Sequence, residues 1–86
     1  MLTNRIGSTI EADIHGLTAE DAKRQLEFLL SRADKNVKEI VVIHGYSHGQ
    51  VLKNMVRTQL KHPRIASKLL SLNEGQTRIL LKQPEK

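Results

Sequence analysis

The chain has 86 residues, with 14 Lys and Arg against 9 Asp and Glu and a formal charge of +5, which limits it to one small domain with a modest core and suits a nucleic-acid partner. It has no cysteine, which excludes disulfides and thiolate metal sites and fits a cytoplasmic location. No apolar run could span a bilayer and the N-terminus carries no hydrophobic signal region, so no membrane association is expected; only Phe28 and Tyr46 are aromatic, which excludes an extended base-stacking platform.

Residues 1–8 carry no strong periodicity and read as a lead-in. Thr9 to His15 alternates, with Ile10, Ala12 and Ile14 on one face and Glu11, Asp13 and His15 on the other. Period two predicts a strand with one face towards a core, and it places Asp13 and His15 on one side, about 7 Å apart along the strand. Gly16 ends that strand. Thr18 is a good N-cap, Glu20 and Asp21 suit the first turn of a helix, and Ala22, Leu26, Leu29, Leu30 and Ala33 give that helix one apolar face. Asp34-Lys35-Asn36 reads as a turn.

Lys38 to Ile43 is a second strand, apolar on both faces as a central strand would be. The segment His44-Gly45-Tyr46-Ser47-His48-Gly49 is a glycine-bounded turn. Apolar spacing then becomes helical through Val51, Leu52, Met55, Val56 and Leu60, and should stop near Lys61 or His62, because Pro63 disfavours helical angles in the residue before it. Arg64 to Leu72 is less regular and is expected to end as a strand. Asn73-Glu74-Gly75 is a hairpin turn signal, Gln76 to Lys82 is a further strand, and 83–86 are a polar tail.

The predicted order is β-α-β-α-β-β over residues 9–82, a two-layer α/β (α+β) fold with a mixed four-stranded sheet. If the first two strands pair directly they are parallel, joined by a right-handed crossover, and their carboxyl ends lie on one edge. Ligands bind at that edge in open α/β sheets. Asp13, His15 and His44 would gather there with His48 and the start of the second helix, whose free N–H groups attract phosphate. Lys53, Arg57 and Lys61 follow at i, i+4 and i+8 as one basic stripe suited to a phosphate backbone.

Three stretches resemble a known family. Asp13-Ile14-His15-Gly16-Leu17-Thr18 resembles the DxHG-L-T stretch of the small MutS-related (Smr) domain. Ile43-His44-Gly45-Tyr46-Ser47-His48-Gly49 is similar to its HGxGxG-type loop, and Glu74-Gly75-Gln76-Thr77 to its late Gly-x-Thr segment. Ala12 stands where the family usually has leucine, and Ser47 where the loop usually has its middle glycine. The resemblance, to a stand-alone single-domain member, implies a fold like the C-terminal domain of bacterial translation initiation factor three. It also implies nucleic-acid binding, often with endonuclease activity on RNA or DNA, and in some relatives action at the ribosome. Carried over, Asp13 and His15 are the catalytic candidates, and His44, Gly45 and Gly49 the nucleic-acid contact.

Residue chemistry adds to this reading. Cleavage of RNA needs a base for the 2′-OH and an acid for the leaving oxygen, and histidine serves either role near neutral pH, so His15 and His44 are candidate partners with Asp13 orienting an imidazole. Tyr46, His48, Lys53 and Arg57 are candidate nucleic-acid contacts. Nicking of DNA would more naturally use water on a divalent cation such as magnesium; Glu11 and Asp13 are the carboxylates at hand, so RNA is favoured and the cofactor stays open. Two other readings stand beside this one. One is a non-catalytic module that binds RNA or the ribosome, with Asp13 and His15 a structural pair. The other is an interaction domain whose homodimer covers the second apolar face of the central strand.

Overall fold

A computed structural model describes residues 1–45 and 50–83. The strands are β1 (Leu2–Ile6), β2 (Thr9–Asp13), β3 (Glu39–Ile43), β4 (Ile65–Leu70) and β5 (Gln76–Leu81), in one sheet of order β1-β2-β3-β5-β4. Helix α1 (Ala19–Arg32) joins β2 to β3, and these strands are parallel, as the crossover requires. Helix α2 (Gln50–Asn54) continues as a π-helical segment, Met55–Gln59, before β4. β5 runs antiparallel to both β3 and β4. The α+β class and the mixed sheet are as expected; the strand count is five rather than four.

The added strand is the lead-in. β1 pairs antiparallel with β2 through the turn at Gly7, whose φ of 61° is one that glycine adopts without steric cost. All five residues of β1 are exposed, so no buried side chain imposes a period of two on its sequence. Its place in the sheet rests on backbone pairing to β2, which periodicity cannot register.

Strand parity divides the sheet into two faces. Ile10, Ala12, Ile40, Val42, Ile79 and Leu81 point to the helix side and are buried with Ala22, Leu26 and Leu30 of α1 and Leu52, Met55 and Val56. Glu11, Asp13, Glu39, Val41, Ile43, Arg78 and Leu80 point the other way and are half-buried. Thus Val41 and Ile43, which made β3 look apolar on both faces, lie on the helix-free side. There Val41 is flanked in register by Glu11 and Arg78.

The second helix ends earlier than its sequence predicts. Leu60 is already extended, with ψ 116°, and its N–H donates to the Met55 carbonyl at 2.8 Å, the i to i+5 bond of a π turn. This wider turn buries Leu60 fully while leaving Gln59 exposed. Lys61 therefore leaves the helix, and the basic stripe keeps only Lys53 and Arg57. The Lys68 ammonium closes the segment by donating to the Leu60 and Arg57 carbonyls at 2.5 and 3.4 Å.

Candidate functional site

The carboxyl ends of β2 and β3 share one edge, tied by a bond from the Ile14 N–H to the Ile43 carbonyl at 3.0 Å. Asp13 ends β2 on the helix-free side. Its Oδ1 accepts the backbone N–H of His15 at 3.1 Å, a short side-chain-to-backbone turn that folds the chain over itself. The same oxygen bonds Nδ1 of the His15 ring. Gly16, with φ 83°, lets the chain swing from this turn towards α1. Thr18 then caps the helix by accepting the Asp21 N–H at 3.1 Å.

Burial pushes the Asp13 carboxyl upward, but the bonds it accepts from His15 outweigh this and hold it below the usual carboxylate range. The ionised carboxylate can only accept, so Nδ1 carries the hydrogen and the neutral ring's lone pair sits on Nε2. The His15 side chain is 68% exposed, and among the described residues nothing bonds Nε2. A carboxylate that orients an imidazole whose far nitrogen faces solvent is equipped to take and return a proton.

His44 is placed differently. It continues the parity of Ile40 and Val42, turns to the helix side and is only 1% exposed. Its Nδ1 lies 3.2 Å from the Gly45 carbonyl and its Nε2 lies 2.9 Å from the Thr77 hydroxyl. The carbonyl can only accept, so Nδ1 donates and Nε2 accepts the Thr77 proton. Thr77 in turn accepts Nε of Arg57 at 3.3 Å. Burial lowers the His44 pKa; the bond to Gly45 opposes this, and the charges of Arg57 and Lys53 reinforce it. The ring is thus held neutral with both nitrogens occupied, on the opposite side of the sheet from Asp13.

What reaches the pair from this loop is Gly45. It has φ 85°, and a Cβ built there would lie 3.8 Å from Cβ of His15. The backbone N–H groups of His44 and Gly45 both donate to the Gly75 carbonyl, at 2.9 and 3.0 Å. Gly75 is itself held by its N–H to Oδ1 of Asn73 at 2.9 Å. The three motif segments, far apart in sequence, therefore meet: Asp13 and His15 on one loop, His44 and Gly45 on the next, Gly75 and Thr77 behind them. Thr77 and Gly75 had no place among the expected site residues, although the Gly-x-Thr pattern marks them. Lys53 and Arg57 stand close enough to His44 to influence it electrostatically, so both face this region. Tyr46, His48 and Gly49, the remaining expected contacts, lie outside the described residues.

Glu11 and Asp13 share a face, and Glu11 accepts the side-chain amide of Asn4 at 3.5 Å. Among the described residues no three His, Cys, Asp or Glu side chains are grouped to hold a metal ion. No helix among them is long and apolar enough to cross a membrane.

No curated protein matches the chain. A solved structure, the Smr domain of Thermus thermophilus MutS2, superposes with a TM-score of 0.70 at 21% identity, covering 84% of this chain and 96% of that one. The Smr domain family model matches residues 12–79, a span that holds all three motif segments. The chain therefore belongs to the Smr domain family, a family of nuclease-related, nucleic-acid-binding domains.

Proposed function

We propose that this domain binds RNA and cleaves it with Asp13 and His15. The observation that carries this reading is the ring of His15, bonded to Asp13 through Nδ1 and open to solvent at Nε2. In the proposed step Nε2 takes the proton of a 2′-OH. The freed oxygen attacks the adjacent phosphorus, the bond to the 5′ oxygen breaks, and that oxygen takes a proton from the solvent that reaches the exposed site. The products are a 2′,3′-cyclic phosphate and a 5′-hydroxyl. Asp13 keeps the ring in the productive tautomer and stabilises the imidazolium that forms. Lys53 and Arg57 attract the phosphate backbone, and the buried His44–Thr77 pair braces the loop that presents Gly45.

The test is cleavage of a labelled RNA and of the matched DNA, each with and without EDTA. The expected result is cleavage of RNA alone, unchanged by EDTA, with cyclic-phosphate ends. DNA cleavage abolished by EDTA would overturn the 2′-OH route. A second reading, a non-catalytic RNA- or ribosome-binding module, draws support from one observation: His44, the candidate second catalyst, has both ring nitrogens occupied. Salt-sensitive binding with no cleavage under any condition would favour it.

A further inference from the structure

Phe28 is the only phenylalanine of an 86-residue chain with no tryptophan, and it is not in the core. It stands on the outer face of α1, 62% exposed. Arg24 and Arg32 lie one turn before and one turn after it on the same face. The Arg32 guanidinium sits over the ring, 5.2 Å from its centroid. Arg24 bonds Asp21. The ring forms part of a groove lined by Met1, Arg24, Gln25, Phe28, Leu29 and Arg32, with no acidic side chain among them.

The groove lies on the helix side of the sheet and the Asp13 side chain on the other, so a strand touching both passes around the sheet edge where β2 ends. Met1 is adjacent to Leu2, whose partner in the sheet is Asp13. α1 begins at Ala19, just beyond His15, and Phe28 follows about 14 Å along its axis. A chain of phosphates leaving Asp13 and His15 along α1 passes the acidic first turn, Glu20 and Asp21, before it reaches the partly apolar groove at Arg24, Phe28 and Arg32.

We infer that Phe28, with Arg32 stacked on it, is a base-stacking subsite for an unpaired nucleotide of a single-stranded RNA whose backbone crosses the Asp13–His15 edge; this rests on the RNA-binding reading above. Aromatic rings and guanidinium planes both stack on any base, and only unpaired bases offer a free face. Arg32 supplies the charge complement to the phosphates, Arg24 being paired with Asp21. The subsite therefore selects single strands over duplex without reading sequence.

Phe28→Trp places one indole at this position in a chain that otherwise has none. Its fluorescence should be quenched by a single-stranded, adenine-rich RNA oligonucleotide along the same curve as the anisotropy of the labelled RNA, and not by the matched duplex. Phe28→Leu keeps apolar bulk but loses the stack, and should bind the single strand roughly 5- to 150-fold more weakly at equal salt. Binding of Phe28→Leu as tight as wild type, with no quenching in Phe28→Trp, would overturn the subsite and leave the Asp13–His15 reading standing. Equal quenching by duplex and single strand would overturn the stacking. A wild-type protein that binds no RNA would overturn both readings.

Discussion

The two histidines at the ends of neighbouring strands differ in what their nitrogens are free to do. His15 is exposed and bonded at one nitrogen, whereas His44 is buried and bonded at both. This difference was legible in parity: His44 is in step with Ile40 and Val42, Asp13 with Glu11. The partner of the His44 Nε2 was not, because Thr77 lies 33 positions away. Thr77→Val keeps the shape but removes the hydroxyl that satisfies Nε2, and should cost about 1–3 kcal/mol by urea unfolding. The lowered pKa of His44 also sets a pH dependence. As pH falls below its ordinary value of 6.5, the unfolded chain takes up the proton before the folded one does, so stability is full above that value and declines on acidification. Unfolding midpoints should therefore fall between pH 7.5 and 5.5, and less so in His44→Gln. An identical fall in that variant would assign the effect elsewhere.

At the level of elements, what the sequence made legible was whatever buries a face. β2, α1 and β5 each carry the alternation or helical stripe that their burial produces, and β3 an apolar run. β1 carries none, being exposed throughout, and the π turn leaves no mark because Leu60 fits either an α or a π continuation. The ties between elements are likewise invisible locally. Arg64 donates to the Ala33 and Asp34 carbonyls at the end of α1, and His62 bonds Ser31 at 3.0 Å. At the other end of α1, Thr18→Ala removes the cap and should cost about 1 kcal/mol. Gly45→Ala should cost about 1–2 kcal/mol through its positive φ, since the added Cβ meets His15 only at ordinary contact distance. Thermal or urea unfolding measures both. A Gly45→Ala protein as stable as wild type would show that this turn relaxes without the left-handed conformation.

Across the whole molecule, the parallel pairing of β2 and β3 is what converts three separated motifs into one edge. The family could be read from those motifs, and the fold from element order. The number of strands and the bonds that hold His44 required the sheet itself. The excess of positive charge predicts binding that weakens with salt, and the loss of Lys61 leaves the stripe with Lys53 and Arg57, on α2 and its π-helical extension, beside Arg32 of α1. Lys53→Gln should lower the slope of log affinity against log salt by about 0.7 on single-stranded RNA, if it neutralises one phosphate; an unchanged slope would remove it from the interface. The most direct test of the central claim is the rate of RNA cleavage by Asp13→Asn and His15→Ala beside the wild type, with binding of the same RNA measured in parallel. Each variant should lose roughly 100-fold or more in cleavage, with binding retained. Cleavage at the wild-type rate in either variant would contradict that claim.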